Sequence, residues 1–309
     1  MWDIQALRRI DLRMVATIVA LMICSLLVVS ATTGESDPFV AHSFWTPHVR
    51  NQLHRFAFGL VAFLFFAAFD YRKLREWTWI AYVAILILLI AVFFTPSIGY
   101  PHRLFRIPGL GIGFQPSEYA KLIIVVTLSW LLERQGRRAA TLRSTLAAGL
   151  IALLPLLLIA KQPDLGSALT LLPITLGMFY FAGAHRGVSR LMAGGLVGML
   201  GVVLLFFLGV LSHEELRPSA TTVLKEYQYE RLNPNTYHQK AAKASIAMGG
   251  VWGSGWKESE FASRRFLPAG HTDSVFPAFV EEFGLVGGAL LLLLFFGLLY
   301  CGFQVTAVA

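Results

Sequence analysis

Charge is what this sequence has least of. Only 14% of its 309 residues are Asp, Glu, Lys or Arg, against about 25% in a soluble globular domain. That shortage excludes a water-soluble fold, because the apolar majority would have too little polar surface to cover it. Cysteine is almost missing as well. Cys24 and Cys301 both fall inside apolar runs, so neither a disulfide framework nor a thiolate metal site is expected. The eight histidines are scattered without metal-ligand spacing, which argues against zinc. There is no internal repeat of roughly 20–50 residues, no domain linker, and no strand-then-glycine dinucleotide fingerprint.

What the sequence has instead is long apolar runs, with 56% hydrophobic residues overall. Each run approaches the roughly 20 residues that carry a helix across a bilayer. Eight are read, at 12–31, 53–70, 77–96, 118–132, 145–160, 165–184, 191–211 and 276–303. The pattern predicts an all-α, polytopic transmembrane helical bundle. It forms a single membrane domain over 1–309, with one long outer loop at 212–275. The first run follows Arg8, Arg9 and Arg13 and lacks a clear small-residue cleavage site, so it reads as a retained signal anchor.

The net charge of +8 is an orientation signal. With the N-terminus in the cytoplasm, the inner segments carry twelve basic residues: Arg8, Arg9, Arg13, Arg72, Lys73, Arg75, Arg134, Arg137, Arg138, Arg143, Arg186 and Arg190. The short outer segments carry four, Arg50, Arg103, Arg106 and Lys161. Cytoplasmic loops are the ones enriched in Lys and Arg. No interleaving of basic and aromatic residues marks a nucleic-acid surface.

The long loop reads in three parts. Leu216 to Leu232 is polar, and Asn233-Pro234-Asn235 is a turn. Thr236 then caps a helix on which Tyr237, Ala241, Ala244 and Met248 share a face. The run Gly249 to Trp256 is too glycine-rich for a helix, and its two tryptophans suit a headgroup layer.

Polar residues near a membrane are costly unless paired or used, and on this topology they gather outside. Gln115-Pro116-Ser117-Glu118 opens the fourth run, and Lys121 shares a helix face with Glu118. Lys161 and Asp164 lie in the tight turn between the fifth and sixth runs, where Asp164 can cap a helix. His271-Thr272-Asp273 precedes the last run, and Asp273 can act as a cap too. Glu281 and Glu282, just inside that run, are expected to pair with basic residues. Such a set suits an anionic amphiphile, to be bound, moved or transformed.

At these residues the chain resembles the SEDS family (shape, elongation, division and sporulation), on the RodA side of the RodA/FtsW group. The matching stretches are Phe114 to Lys121, Lys161 to Gly166, Gly249 to Trp256, and Phe266 to Asp273 with Glu281 to Gly284. The family usually has Arg-Trp where this chain has Arg103-Leu104, and His-Thr-Asp-Phe where it has His271-Thr-Asp-Ser274. It has ten spans, whereas this sequence ends at Ala309 after the eighth.

The resemblance implies a peptidoglycan glycosyltransferase of the bacterial plasma membrane, polymerising lipid II by inverting transfer in cell elongation. Its essential loop aspartate falls on Asp273, the expected general base. Arg103, Glu118, Lys121, Lys161 and Asp164 are the expected substrate-binding residues. Implied partners are a class B penicillin-binding protein and other membrane proteins of the elongation complex. No soluble cofactor is implied; a divalent cation such as Mg or Mn is compatible with the pyrophosphate chemistry. The alternatives are a lipid II flippase and a non-catalytic scaffold.

Overall fold

The computed structural model describes residues 10–33, 43–94, 105–106, 113–162, 164–222, 226–230, 232–263 and 266–308. All eight expected runs are helices. They are α1 (Leu12–Thr32), α2 (Pro47–Ala68), α3 (Leu74–Ala91), α4 (Pro116–Gln135), α5 (Leu142–Lys161), α6 (Leu165–Phe181) and α7 (Arg186–Phe207), and the last run is taken up below. Six of the eight are long and apolar enough to cross a membrane. The exceptions are α4, which carries Glu118, Lys121, Glu133 and Arg134, and α6, which has 17 residues. The long loop adds α8 (His213–Ala220), α9 (Glu226–Glu230), α10 (Tyr237–Gly249) and α11 (Glu260–Ser263) before α12 (Val275–Val308).

Internal contacts gather into two compact units. One comprises 71–233, and the other 1–70 with 234–309. In the 71–233 unit the core follows helix periodicity. Ala120, Ile124, Leu128 and Leu132 form one stripe of α4, packed with Tyr82, Ile85 and Leu89 of α3 and Ala148, Ala152 and Ile159 of α5. Alanines at the crossings let the backbones approach, which is how helices associate where lipid removes the hydrophobic drive.

Pro155 interrupts α5 without breaking it. Proline has no N–H, so the carbonyl four residues earlier loses its helical partner. That carbonyl belongs to Ile151, and the Tyr82 hydroxyl donates to it at 2.9 Å. Removing the donor leaves a buried acceptor unmatched. Tyr82→Phe should therefore cost about 1–2 kcal/mol in thermal or denaturant unfolding. In a Pro155→Ala background, where the new main-chain N–H restores the helical bond, the same change should be near neutral.

The other unit is built around a broken helix. α12 packs on α1 and α10, and its helical dihedrals fail at Gly284, with φ 69° and ψ −172°. A break frees carbonyls before it and amides after it, and at membrane depth these need protein partners. The glycine-rich run supplies them. Ser254 N–H and Gly255 N–H donate to the carbonyls of Glu281 and Glu282 at 2.9 and 3.0 Å, and Leu285 N–H donates to Gly250 O at 2.9 Å. The approach is so close that a Cβ on Gly249 would lie 2.1 Å from Val280 O, and one on Gly253 2.1 Å from Glu282 O. Hence the glycines.

This brace also explains a correction in α10. Thr236 caps it as expected, accepting from Gln239 N–H at 3.4 Å. The buried residues, however, are Ala241, Ser245 and Gly249, while Tyr237 and Met248 are exposed. Contact with the α12 backbone selects the smallest side chains rather than the most apolar ones.

Candidate functional site

Two clusters carry the polar chemistry, one in each unit. In the 71–233 unit the organising group is Asp164, 7% exposed. One carboxylate oxygen accepts from Gln115 Nε2 at 2.8 Å and Ser117 Oγ at 3.1 Å. The other accepts from Ser167 N–H at 3.3 Å, capping α6. Asp164 thus ties the start of α4 to the start of α6, with its acceptor positions occupied by protein. Glu118 and Lys121 form the expected ion pair at 2.8 Å, with side chains 53% and 25% exposed. Lys161 is exposed in the last turn of α5. The neighbouring Gln162 is buried and donates to Leu89 O at 2.6 Å. Arg103 lies outside the described residues, as does the side chain of Arg106.

The second cluster surrounds Asp273. The carbonyl of Ala269, itself at φ 49°, accepts the N–H groups of Thr272, Asp273 and Ser274 at 3.0, 2.9 and 3.1 Å. This tight turn fixes the Asp273 backbone while leaving the side chain exposed. The carboxylate accepts no hydrogen bond among the described residues. It does not cap α12 either: the helix starts at Val275, and the Ser274 carbonyl takes the first bond, from Ala278 N–H at 3.2 Å. A cleft of about 350 Å³ adjoins the turn, lined by Thr32, Thr33, His48, Ala269 and His271 among others. The imidazoles of His48 and His271 meet edge to face, with centroids 5.3 Å apart. Sequence reasoning missed His48, because nothing local distinguishes a histidine in the first turn of α2.

Glu281 and Glu282 are 1% and 2% exposed, and the expectation that basic residues pair with them needs correcting for Glu281. Glu281 is held by neutral donors, Ser245 Oγ and Phe261 N–H, both at 2.7 Å. Glu282 accepts from Ser259 Oγ at 3.4 Å. Lys257 lies close enough to act on it, but the ammonium donates to Ser43 O at 2.6 Å. Burial pushes the Lys257 pKa down, partly opposed by the Glu282 charge. Main-chain and hydroxyl donors at short range hold Glu281, while Glu282 draws on Ser259 and on the charge of Lys257. Among the described residues no group of three or more His, Cys, Asp or Glu could hold a metal ion.

These features define a multi-pass α-helical membrane protein whose ionisable groups sit at helix ends and on one loop turn. Residues 11–309 match the FtsW/RodA/SpoVE family of cell cycle proteins, and the chain belongs to that family. It is similar to the peptidoglycan glycosyltransferase MrdB of Escherichia coli K12, 27% identical over 308 residues, covering 96% of this chain and 76% of the relative. It is 29% identical over 299 residues to stage V sporulation protein E of Bacillus subtilis, covering 96% and 78%. Among solved structures, it superposes on a chain of a peptidoglycan synthase complex with a TM-score of 0.65 and 25% identity, covering 94% of this chain and 76% of that one. Thermus thermophilus RodA matches in fold with a TM-score of 0.60 at 24% identity, covering 94% and 73%.

Proposed function

We propose that this protein is a peptidoglycan glycosyltransferase that polymerises lipid II at the outer face of the bacterial plasma membrane, with Asp273 as general base. The observation that carries the reading is the Asp273 turn: a carboxylate with a fixed backbone, exposed, unpartnered among the described residues, in a turn whose Ala269 and His271 line a cleft of about 350 Å³. Relatives that are peptidoglycan glycosyltransferases support the reaction class.

In the reaction, the acceptor's sugar 4-hydroxyl gives its proton to Asp273 as its oxygen attacks the donor's anomeric carbon. Attack comes from the face opposite the undecaprenyl pyrophosphate. The bond to pyrophosphate breaks, the electron pair leaves with it, and configuration inverts. A positioned base contributes about 10²–10⁴-fold. Arg103, Lys121 and Lys161 offset charge growing on the pyrophosphate. Glu118 orients Lys121, and Asp164 acts as a positioning residue through Gln115 and Ser117. A divalent cation would serve the same charge, and no step is routed through one.

The crosslinking partner in this reading is a class B penicillin-binding protein, consistent with the synthase complex among the structural neighbours. The reading also needs the Asp273 loop outside and the α4–α5 turn in the cytoplasm. Single cysteines report this. Ser259 is 2% exposed and unsuitable, so Glu258→Cys and Arg143→Cys, both at exposed positions, are the informative pair. Impermeant maleimide added to intact spheroplasts should label Glu258→Cys and spare Arg143→Cys; the reverse pattern would invert the topology.

Fluorescent lipid II in proteoliposomes tests the function. Chain growth without faster exchange between leaflets is expected. Exchange without growth would make the protein a flippase, and neither would make it a scaffold.

A further inference from the structure

The turn between α6 and α7 takes no part in this chemistry, and it is tightly built. α6 closes on Gly183, at φ 63°, with Ala184 N–H donating to Phe179 O at 2.9 Å and Gly183 N–H to Tyr180 O at 3.2 Å. This pair of hydrogen bonds ends a helix on a left-handed glycine. His185 N–H then donates to Thr145 Oγ1 of α5 at 2.9 Å, which fixes the start of α7. A cleft of about 810 Å³ opens at the turn, lined by Ala140, Tyr180, His185, Arg186, Ser189 and Arg190 among others. Its size is in the usual range for a small-molecule site.

Electrostatically the cleft is one-sided. Arg186 and Arg190 lie four residues apart on one face of α7, where like charges repel. They also sit at the helix N-terminus, whose partial positive charge favours anions. The first turn of α7 holds no acidic residue, and His185 makes no capping bond with its side chain. Among the described residues no Asp or Glu lines the cleft, and neither arginine pairs with a carboxylate. The bond between them, from Arg190 Nε to Arg186 O at 3.3 Å, goes to a neutral carbonyl and leaves both charges uncompensated. Orientation in the membrane accounts for arginines at this end of the bundle. It does not account for two of them together at a helix start without a counterion.

The missing partner is an anion, and the surroundings say which kind. Guanidinium groups match the geometry of phosphate oxygens. The Tyr180 hydroxyl, which makes no hydrogen bond among the described residues, is a further donor in the cleft. Next to the cleft, Phe181 at the end of α6 and Leu191 beside Arg190 are exposed. That apolar surface is of no use to a soluble phosphate and suits acyl chains, and an exposed tyrosine suits the headgroup level. We infer that this cleft binds the headgroup of an anionic phospholipid, with its phosphate held by Arg186 and Arg190. The topology proposed above puts the lipid in the cytoplasmic leaflet; the site itself does not depend on that orientation.

Brominated acyl chains quench tryptophan at contact, and Phe181→Trp places a reporter beside the cleft at an exposed position. The chain has seven tryptophans already, so the reporter signal is taken as the variant minus its parent. The intact protein is reconstituted in phosphatidylcholine vesicles with rising fractions of brominated phosphatidylglycerol or brominated phosphatidylcholine. Both leaflets carry the brominated lipid, so the result is independent of topology. The anionic lipid should half-quench the reporter at a mole fraction about tenfold lower. Arg186→Gln with Arg190→Gln should abolish that preference; both side chains are exposed, so folding is not at stake. Arg137→Gln with Arg138→Gln removes the same charge from exposed positions in the α4–α5 turn, outside the cleft, and should leave the preference intact. Inorganic phosphate at millimolar concentration and constant ionic strength should not displace the lipid. Equal quenching by both lipids, or a preference that survives the change at Arg186 and Arg190, would overturn the assignment. Equal loss in the two double variants would overturn it too, by making the attraction a diffuse property of the basic surface. Displacement by inorganic phosphate would make the ligand a soluble anion, and a reporter protected from both lipids would make this face a protein interface; either result rejects the lipid site.

Discussion

Asp273→Asn is expected to lower lipid II polymerisation by at least about 100-fold while the protein still folds and binds its partner. Asparagine keeps the shape of the side chain but cannot take a proton at neutral pH. The structure removes the usual confounder. Were Asp273 a helix cap, asparagine would replace it almost without loss, and activity would survive; but α12 begins after Ser274, with no bond to the Asp273 carboxylate among the described residues. The turn is held by the Ala269 carbonyl and three main-chain N–H groups, none of which the substitution touches. Melting temperature should therefore be unchanged. A variant that polymerises at near-normal rate would remove Asp273 from the mechanism.

Asp164→Ala should fail differently. Its carboxylate accepts from Gln115, Ser117 and the Ser167 N–H, so alanine deletes a cap and leaves a buried hydroxyl and amide without their acceptor. Losing a cap costs about 0.5–2 kcal/mol and losing hydrogen bonds to a charged group about 1.5–3 each. Because the pieces overlap, the expected loss is about 2–4 kcal/mol, read as a fall in unfolding midpoint or in folded yield. Asp164→Asn keeps the cap acceptor for Ser167 and should lose roughly half as much. If Asp164→Ala were as stable as the parent yet inactive, the carboxylate would contact substrate directly rather than position α4 and α6.

Hydropathy made the eight helices legible because crossing a bilayer imposes one length and one polarity on every span. Local chemistry was legible too: the Thr236 cap, the Glu118–Lys121 pair and the turn at Asp164 follow from neighbours in sequence. What could not be read were pairings between distant segments. The break at Gly284 follows Glu281 and Glu282 inside an otherwise apolar run, and nothing local says that the helix breaks there. Its cause is the main chain of residues 250–255, some thirty positions away. The face of α10 read from periodicity, Tyr237 to Met248, is not the one that α12 covers, for the same reason: the covered face runs through Ala241, Ser245 and Gly249. Glu281 sits opposite Ser245 and the Phe261 amide, a match that no periodicity foretells. Resemblance to a family supplied the expected functional residues, and the structure adds how Asp273 is presented and how Asp164 is engaged.

The most direct test of the account is the product made from lipid II radiolabelled in its sugars. The protein, in vesicles with its crosslinking partner held inactive by a β-lactam, is incubated with the substrate and the products are separated by length. A ladder of long strands that muramidase collapses to disaccharide is predicted, because inversion at the anomeric carbon yields the β-linkage that enzyme cleaves. Unchanged lipid II, or strands that resist muramidase, would contradict inverting polymerisation by this chain.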